Sequence, residues 1–263
     1  MNILDKIVAD KLVDVELRKK VVPVSQLKNS ALFERETFSL SEKIKNSNSG
    51  IIAEFKRRSP SKSVINQDLN VQDVARGYEL AGVCGMSILT DGKYFGGSLD
   101  DLLIARASSN IPILRKEFII DEYQILEAKS FGADAILLIA SVLTKNEMQD
   151  FANFAKNLGL EVLLEIHNEG ELEKSLNVNA DLMGVNNRNL KTFEVSIENS
   201  KKLAEKIPAN FVKVSESGIS DPAVINELKK YDFKGFLIGE NFMRTSKPGE
   251  SASNFIRQIN NSN

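Results

Sequence analysis

Histidine and cysteine are nearly missing from this 263-residue chain, which has one of each, His167 and Cys84. A single histidine leaves Ser-His-Asp catalysis and multi-histidine metal sites with little to stand on. A single cysteine cannot close an internal disulfide, and Cys84 lies in an apolar run with no nucleophile partner nearby, so a core position is expected. Charge of one sign is missing too. The 34 basic and 36 acidic residues leave a net charge of −2, which gives no reason to expect a nucleic-acid partner. No apolar run approaches the roughly 20 residues of a membrane span. The opening MNILDKIVADKLVDVELRKK carries acids among its apolar residues, unlike a secretory signal. The cytoplasm is therefore the expected setting.

What remains is ordinary globular composition, 42% hydrophobic and 27% charged, in a length that fits one large α/β barrel or two small domains. From residue 50 onward short apolar runs alternate with helical stretches. The runs are Ile51–Phe55, Met86–Leu89, Ile111–Leu114, Ala135–Ile139, Val162–Ile166, Leu182–Val185, Phe211–Val214 and Gly235–Ile238. They are too short for core helices and lack polar alternation, as expected of parallel strands covered on both faces. Helix signals lie between them. Val71, Val74, Ala75 and Tyr78 share a helical face ahead of Gly82. Asp121 with Gln124, Thr144 with Glu147, and Asn168 with Glu171 have capping-box spacing, and Asp221-Pro222 has the form of a helix start.

Eight such units predict a (β/α)8 TIM barrel. An open doubly wound sheet is the alternative, but EFKRRSPSKS after the first strand has no glycine fingerprint. Residues 1–49 precede the barrel and read as helical, with Leu4, Val8, Leu12 and Val15 as the buried face, Asn2 as a possible cap and Pro23 as a stop. Residues 1–263 are thus expected to form one barrel domain with an N-terminal helical extension.

Barrel chemistry gathers where strands end at their C-terminal face. Glu54 and Lys56 alternate to one side of strand one, with Phe55 on the other. Alone, that pair reads equally well as a structural ion pair. Lys116 at the end of strand three, Glu165 at the end of strand five and Arg188 at the end of strand six bring further charge to the same rim. Converging charges are costly to bury unless paired or used, so an active site is the stronger reading. Ser217-Gly218 and Gly239-Glu240 follow strands seven and eight. Barrels often hold a phosphate there, so the N–H groups of Gly218 and Gly239 are expected to face a common anion.

These residues lie in segments that resemble a known family. IIAEFKRRSPSKS, KYFGG, PILRKEFIID, GADAILLI, LLEIHN, GVNNRNL, VSESGI and LIGENFM are similar, in order, to motifs of the indole-3-glycerol-phosphate synthases over residues 50–243. The resemblance implies an enzyme of tryptophan biosynthesis that needs no cofactor or metal. Its substrate would be 1-(2-carboxyphenylamino)-1-deoxyribulose 5-phosphate, and ring closure would release carbon dioxide and water.

By the same resemblance Lys116 is the general acid toward the sugar ketone, Glu165 the general base of aromatisation, and Lys56 a carboxylate contact and possible acid in dehydration. Glu54 and Asn186 would orient the catalytic groups with Arg188 on the substrate. Ser59, Ser217, Gly218, Gly239 and Glu240 would anchor it and its phosphate, with Phe95 and Phe118 walling its aromatic ring. Two positions depart from the pattern: Glu117 where aspartate is usual, with little effect expected, and Ser63 where glycine is usual, in a first loop that reads as a lid. His167 fits the motif and is expected to pack behind the site. A sugar-phosphate isomerase, a Schiff-base aldolase on Lys56 or Lys116, and a non-catalytic barrel remain rival readings. A monomer or weak homo-oligomer is expected.

Overall fold

The computed structural model describes residues 3–189 and 192–261; the possible cap at Asn2 lies outside them. Eight strands, β1 Ile51–Phe55, β2 Gly85–Leu89, β3 Ile113–Lys116, β4 Ala135–Ile139, β5 Glu161–Ile166, β6 Leu182–Asn186, β7 Val212–Glu216 and β8 Gly235–Ile238, pair in parallel and in sequence order. Pairing of β1 with β8 closes the barrel. Helices α1 Ile3–Val21, α2 Val24–Lys28 and α3 Leu40–Lys45 precede β1. Around the barrel run α4 Val71–Ala81, α5 Gly92–Phe95, α6 Leu99–Ser108, α7 Glu122–Ser130, α8 Lys145–Asn157 and α9 Glu169–Ser175. The circuit ends with α10 Glu198–Ala204, α11 Pro222–Lys229, α12 Glu240–Met243 and α13 Pro248–Asn261.

Local chemistry sets these boundaries. Asn70 caps α4, whose buried face is Val71, Val74, Ala75 and Tyr78, and Gly82 ends it at φ +79. Thr144 and Glu147 form a reciprocal capping box on α8, and Asp221 caps α11 ahead of Pro222. Strand three starts two residues later than the apolar run suggests. Pro112 has no N–H for the ladder, and the pairing begins at Ile113 with Met86. Lys116 is the last residue of β3, as expected, and is fixed by the sheet through its pairing with Leu89.

Alternation divides the strands between two cores. Phe55, Met86, Ile88, Ile136 and Val162 pack outward under the helices. Ile52, Leu114, Leu137, Leu163, Leu182, Val212, Val214 and Leu237 fill the barrel together with Cys84. Leu40 and Ile44 of α3 join that inner cluster and close the end where the strands begin. Of the expected inward face of α1, Val15 is buried among Leu27, Phe33, Tyr123 and Leu126, but Leu12 is 54% exposed. The face that turns inward is Ile7, Lys11 and Val15. A lysine occupies its centre because acids on the barrel receive it.

Candidate active site

At the opposite end the barrel opens into a cavity of about 370 Å³. Every residue named above for the site lines it: Glu54, Lys56, Ser59, Phe95, Lys116, Phe118, Glu165, Asn186, Arg188, Ser217, Gly218, Gly239 and Glu240. Their placement follows from the strands. Glu54 projects inward from β1 and Lys56 directly follows that strand, with Lys56 Nζ 2.6 Å from Glu54 Oε1. Lys116 ends β3, Glu165 sits in β5 and Asn186 ends β6. Asn186 Oδ1 accepts from the Arg188 N–H at 3.0 Å, turning the chain over the rim.

Lys116 is the centre of charge. Its ammonium lies 2.9 Å from Glu165 Oε2 and also binds Glu216 Oε2. Burial alone would make the ammonium easier to deprotonate. The carboxylates of Glu165, Glu216 and Glu54 outweigh that and hold its pKa above the ordinary lysine value. Burial also opposes ionisation of Glu165, yet Lys116 and His167 hold its pKa down at about 2. Glu216 meets the reverse balance. Burial raises it, Lys116 only partly compensates, Glu165 adds repulsion, and its pKa stands at about 7. The same amino group therefore touches one firmly ionised carboxylate and one that exchanges a proton near neutrality.

Glu216 is not among the residues that the sequence singles out, since in VSESGI the loop residues Ser217 and Gly218 carry the phosphate expectation. Its signal was strand alternation: Val212, Val214 and Glu216 take the same side of β7. Across the barrel wall Gly184 makes room for it, since a Cβ there would stand 2.2 Å from Glu216 Oε1. That oxygen is buried and has no hydrogen-bond partner among the described residues.

On the other side of the mouth, Phe95 from α5 and Phe118 after β3 face each other with ring centres 6.0 Å apart. Ile3, Leu4 and Ile7 of α1 continue this apolar wall. Opposite it lie Ser217 and Gly218, both at positive φ, and Gly239 at the start of α12. No backbone carbonyl among the described residues accepts from the N–H groups of Gly218, Gly239 or Glu240. A Cβ on Gly239 would stand 2.5 Å from Glu54 Oε1, so any side chain there disturbs the Glu54 carboxylate as well as the loop. The first loop, with a Ser59–Lys62 bridge, reaches across by an ion pair of 2.8 Å from Lys62 to Glu240.

His167 packs behind the site as expected, Nδ1 3.2 Å from Glu171 and Nε2 3.4 Å from Glu165. Among the described residues no three His, Cys, Asp or Glu side chains form a group suited to a metal ion. None of the described helices is long and apolar enough to cross a membrane.

Comparison with known proteins gives the chain a family. The family model described as Indole-3-glycerol phosphate synthase matches residues 4–258. A protein of that name from Bacteroides thetaiotaomicron is 49% identical, over 98% of this chain and 99% of its own. Another, from Campylobacter fetus subsp. fetus, is 45% identical over 98% of each chain. Among solved structures, KGPDC from Streptococcus mutans superposes with a TM-score of 0.61 at 12% identity, covering 80% of this chain and 97% of that one. Thiamine phosphate pyrophosphorylase from Pyrococcus furiosus gives a TM-score of 0.60 at 14% identity, over 82% of this chain and 96% of that one. At such identities these two structures show the shared barrel alone.

Proposed function

The chain belongs to the indole-3-glycerol phosphate synthase family, and on that premise we propose which residues of this cavity carry the family's reaction. The enzyme is a decarboxylating lyase of tryptophan biosynthesis. In the proposed assignment, the phosphate of 1-(2-carboxyphenylamino)-1-deoxyribulose 5-phosphate occupies the Ser217–Gly218 and Gly239–Glu240 loops, with Ser59 beside them. Their unengaged N–H groups support that placement. The aromatic ring lies against Phe95 and Phe118, and its carboxylate meets Lys56 and Arg188.

Ring closure puts negative charge on the ketone oxygen, and Lys116 supplies the proton. The carboxyl group leaves as carbon dioxide. Glu165 then takes the ring proton as the indole becomes aromatic, and the former ketone oxygen departs as water with a proton from Lys56 or Lys116. Glu54 holds Lys56, and Asn186 holds Glu165 and the Arg188 turn. No step calls for a metal or an organic cofactor.

The observation that carries this assignment is the Lys116 ammonium held between Glu165 and Glu216. It also weighs against a Schiff-base aldolase, because an imine requires a neutral amine and these carboxylates stabilise the charged one. The chain has no tryptophan, so indole product fluoresces against a low background. Turnover in EDTA, followed by that fluorescence, is the expected outcome. No turnover, or covalent trapping of substrate by borohydride, contradicts it.

A further inference from the structure

We propose that Lys11 is a positioning residue for this reaction, joining the Phe95 and Phe118 wall to the strand that carries Lys116. The proposal rests on the catalytic reading of the cavity and adds a residue from outside the barrel wall.

Lys11 projects from the middle of α1 and is 6% exposed. Its Nζ lies 2.9 Å from Asp91 Oδ2 and 3.2 Å from Glu117 Oε1, two carboxylates whose side chains are 4% and 3% accessible. Burial works against the ammonium, but Glu117 and Asp91 overcome it and raise its pKa. Each carboxylate is also committed to a backbone N–H. Asp91 Oδ1 accepts from the Tyr94 N–H at 2.6 Å, which caps the turn presenting Phe95. Glu117 Oε1 accepts from the Phe118 N–H at 2.9 Å, while Oε2 accepts from Thr90 Oγ1 at 2.8 Å. One ammonium therefore ties together the two acids that set the backbone under both aromatic rings, and Glu117 directly follows Lys116. Glu117, the departure expected to matter little, has a carboxylate that meets α1, Thr90 and Phe118 at once.

A plain staple would attach α1 to the barrel and nothing more. The two roles separate in what happens when the cation is removed. Asp10 and Asp14 on α1, Lys93 and Tyr94 on α5, and Arg115 and Lys116 on β3 are the other titratable groups around the pair. Of the cations, Arg115 is the one left within ion-pair reach among the described residues, 3.7 Å from Glu117, and Asp91 has none. Two buried like charges then repel, and the loop holding Phe95 separates from Phe118.

The test is steady-state kinetics and thermal unfolding of Lys11→Met, beside Lys11→Arg and the double variant Lys11→Met/Glu117→Gln. Displacements of about 1 Å at an active site cost on the order of 10²-fold. Lys11→Met is therefore expected to lose about 10–100-fold in kcat/KM. Lys11→Arg should stay within a few-fold of the parent, and the double variant, which removes the repulsion but not the lost tie, should regain part of the loss. A Lys11→Met enzyme with parental kcat and KM, and only a lower Tm, overturns the proposal. If Lys11→Met does not fold, Asp91→Asn keeps an acceptor for the Tyr94 N–H but breaks the ion pair. KM should then rise several-fold with little change in Tm, and an unchanged KM overturns the proposal. The parent in the same assay separates the two levels: no indole from it refutes the assigned function, whereas an active parent and an indifferent Lys11→Met refute only the role of Lys11.

Discussion

Asp134 and Glu216 are both buried carboxylates of one barrel, at opposite ends, and their surroundings differ in kind. Asp134 stands just before β4 and is fully met. Its Oδ1 takes Arg35 Nη2 at 2.7 Å and the Phe38 N–H at 2.8 Å, and its Oδ2 takes Arg106 Nη1 at 3.0 Å and the Ile113 N–H at 2.8 Å. Glu216, at the end of β7, shares the Lys116 ammonium with Glu165, and its other oxygen has no hydrogen-bond partner among the described residues. A satisfied charge network rigidifies the structure, whereas a deficit of partners leaves a group poised to move protons. The division matches the barrel's two faces, one where Arg35 and Phe38 of the N-terminal extension are held and one where substrate is handled.

The sharpest way to break this comparison is to remove the cation at the catalytic end. Lys116→Met should reduce kcat by about 10²–10⁴-fold or more while substrate binding changes much less, because its interaction is strongest in the transition state. A variant within a few-fold of the parent would remove Lys116 from the general-acid role. At the other end, Asp134→Ala leaves Arg35 and Arg106 facing each other, and loss of a buried partner typically costs about 3–5 kcal/mol. Denaturant unfolding should show that loss, with kcat per folded molecule preserved. A matching fall in kcat would mean that the two ends are not separate.

Glu216→Gln gives a smaller and more specific effect. Because its pKa is raised to about 7, Glu216 is protonated below that pH and ionised above it. Its ionisation binds Lys116 more tightly and weakens it as a donor. The parent kcat/KM should therefore decline as pH rises through about 7, and the Gln variant, neutral at every pH, should lose that limb. Retention of the limb would assign it to another group.

The same contrast explains which features were legible in the sequence. Buried parallel strands announce themselves as short apolar runs, so the eightfold order could be read directly, and polar residues ending those runs marked the rim. Pro112 was a local signal overlooked within an apolar run, and it displaced β3 by two residues. Glu216 was hidden by its neighbours, since the Ser-Gly after it carried the expectation of a phosphate loop while β7 turned Glu216 inward. Lys11 could not be read from local pattern at all. A lysine among Leu4, Val8 and Leu12 looks solvated, and the acids that bury it come from residues far along the chain. Periodicity reports which face is apolar; it does not report a charge whose partner arrives only with tertiary structure.

The division of labour between Lys116 and Glu165 is tested most directly by rapid-quench single turnover of Glu165→Gln. With the acid intact and the base removed, substrate should disappear faster than indole forms, and a ring-closed, decarboxylated species should accumulate between them. Substrate loss that keeps pace with indole formation throughout, or an unaltered rate of indole appearance, would contradict the account.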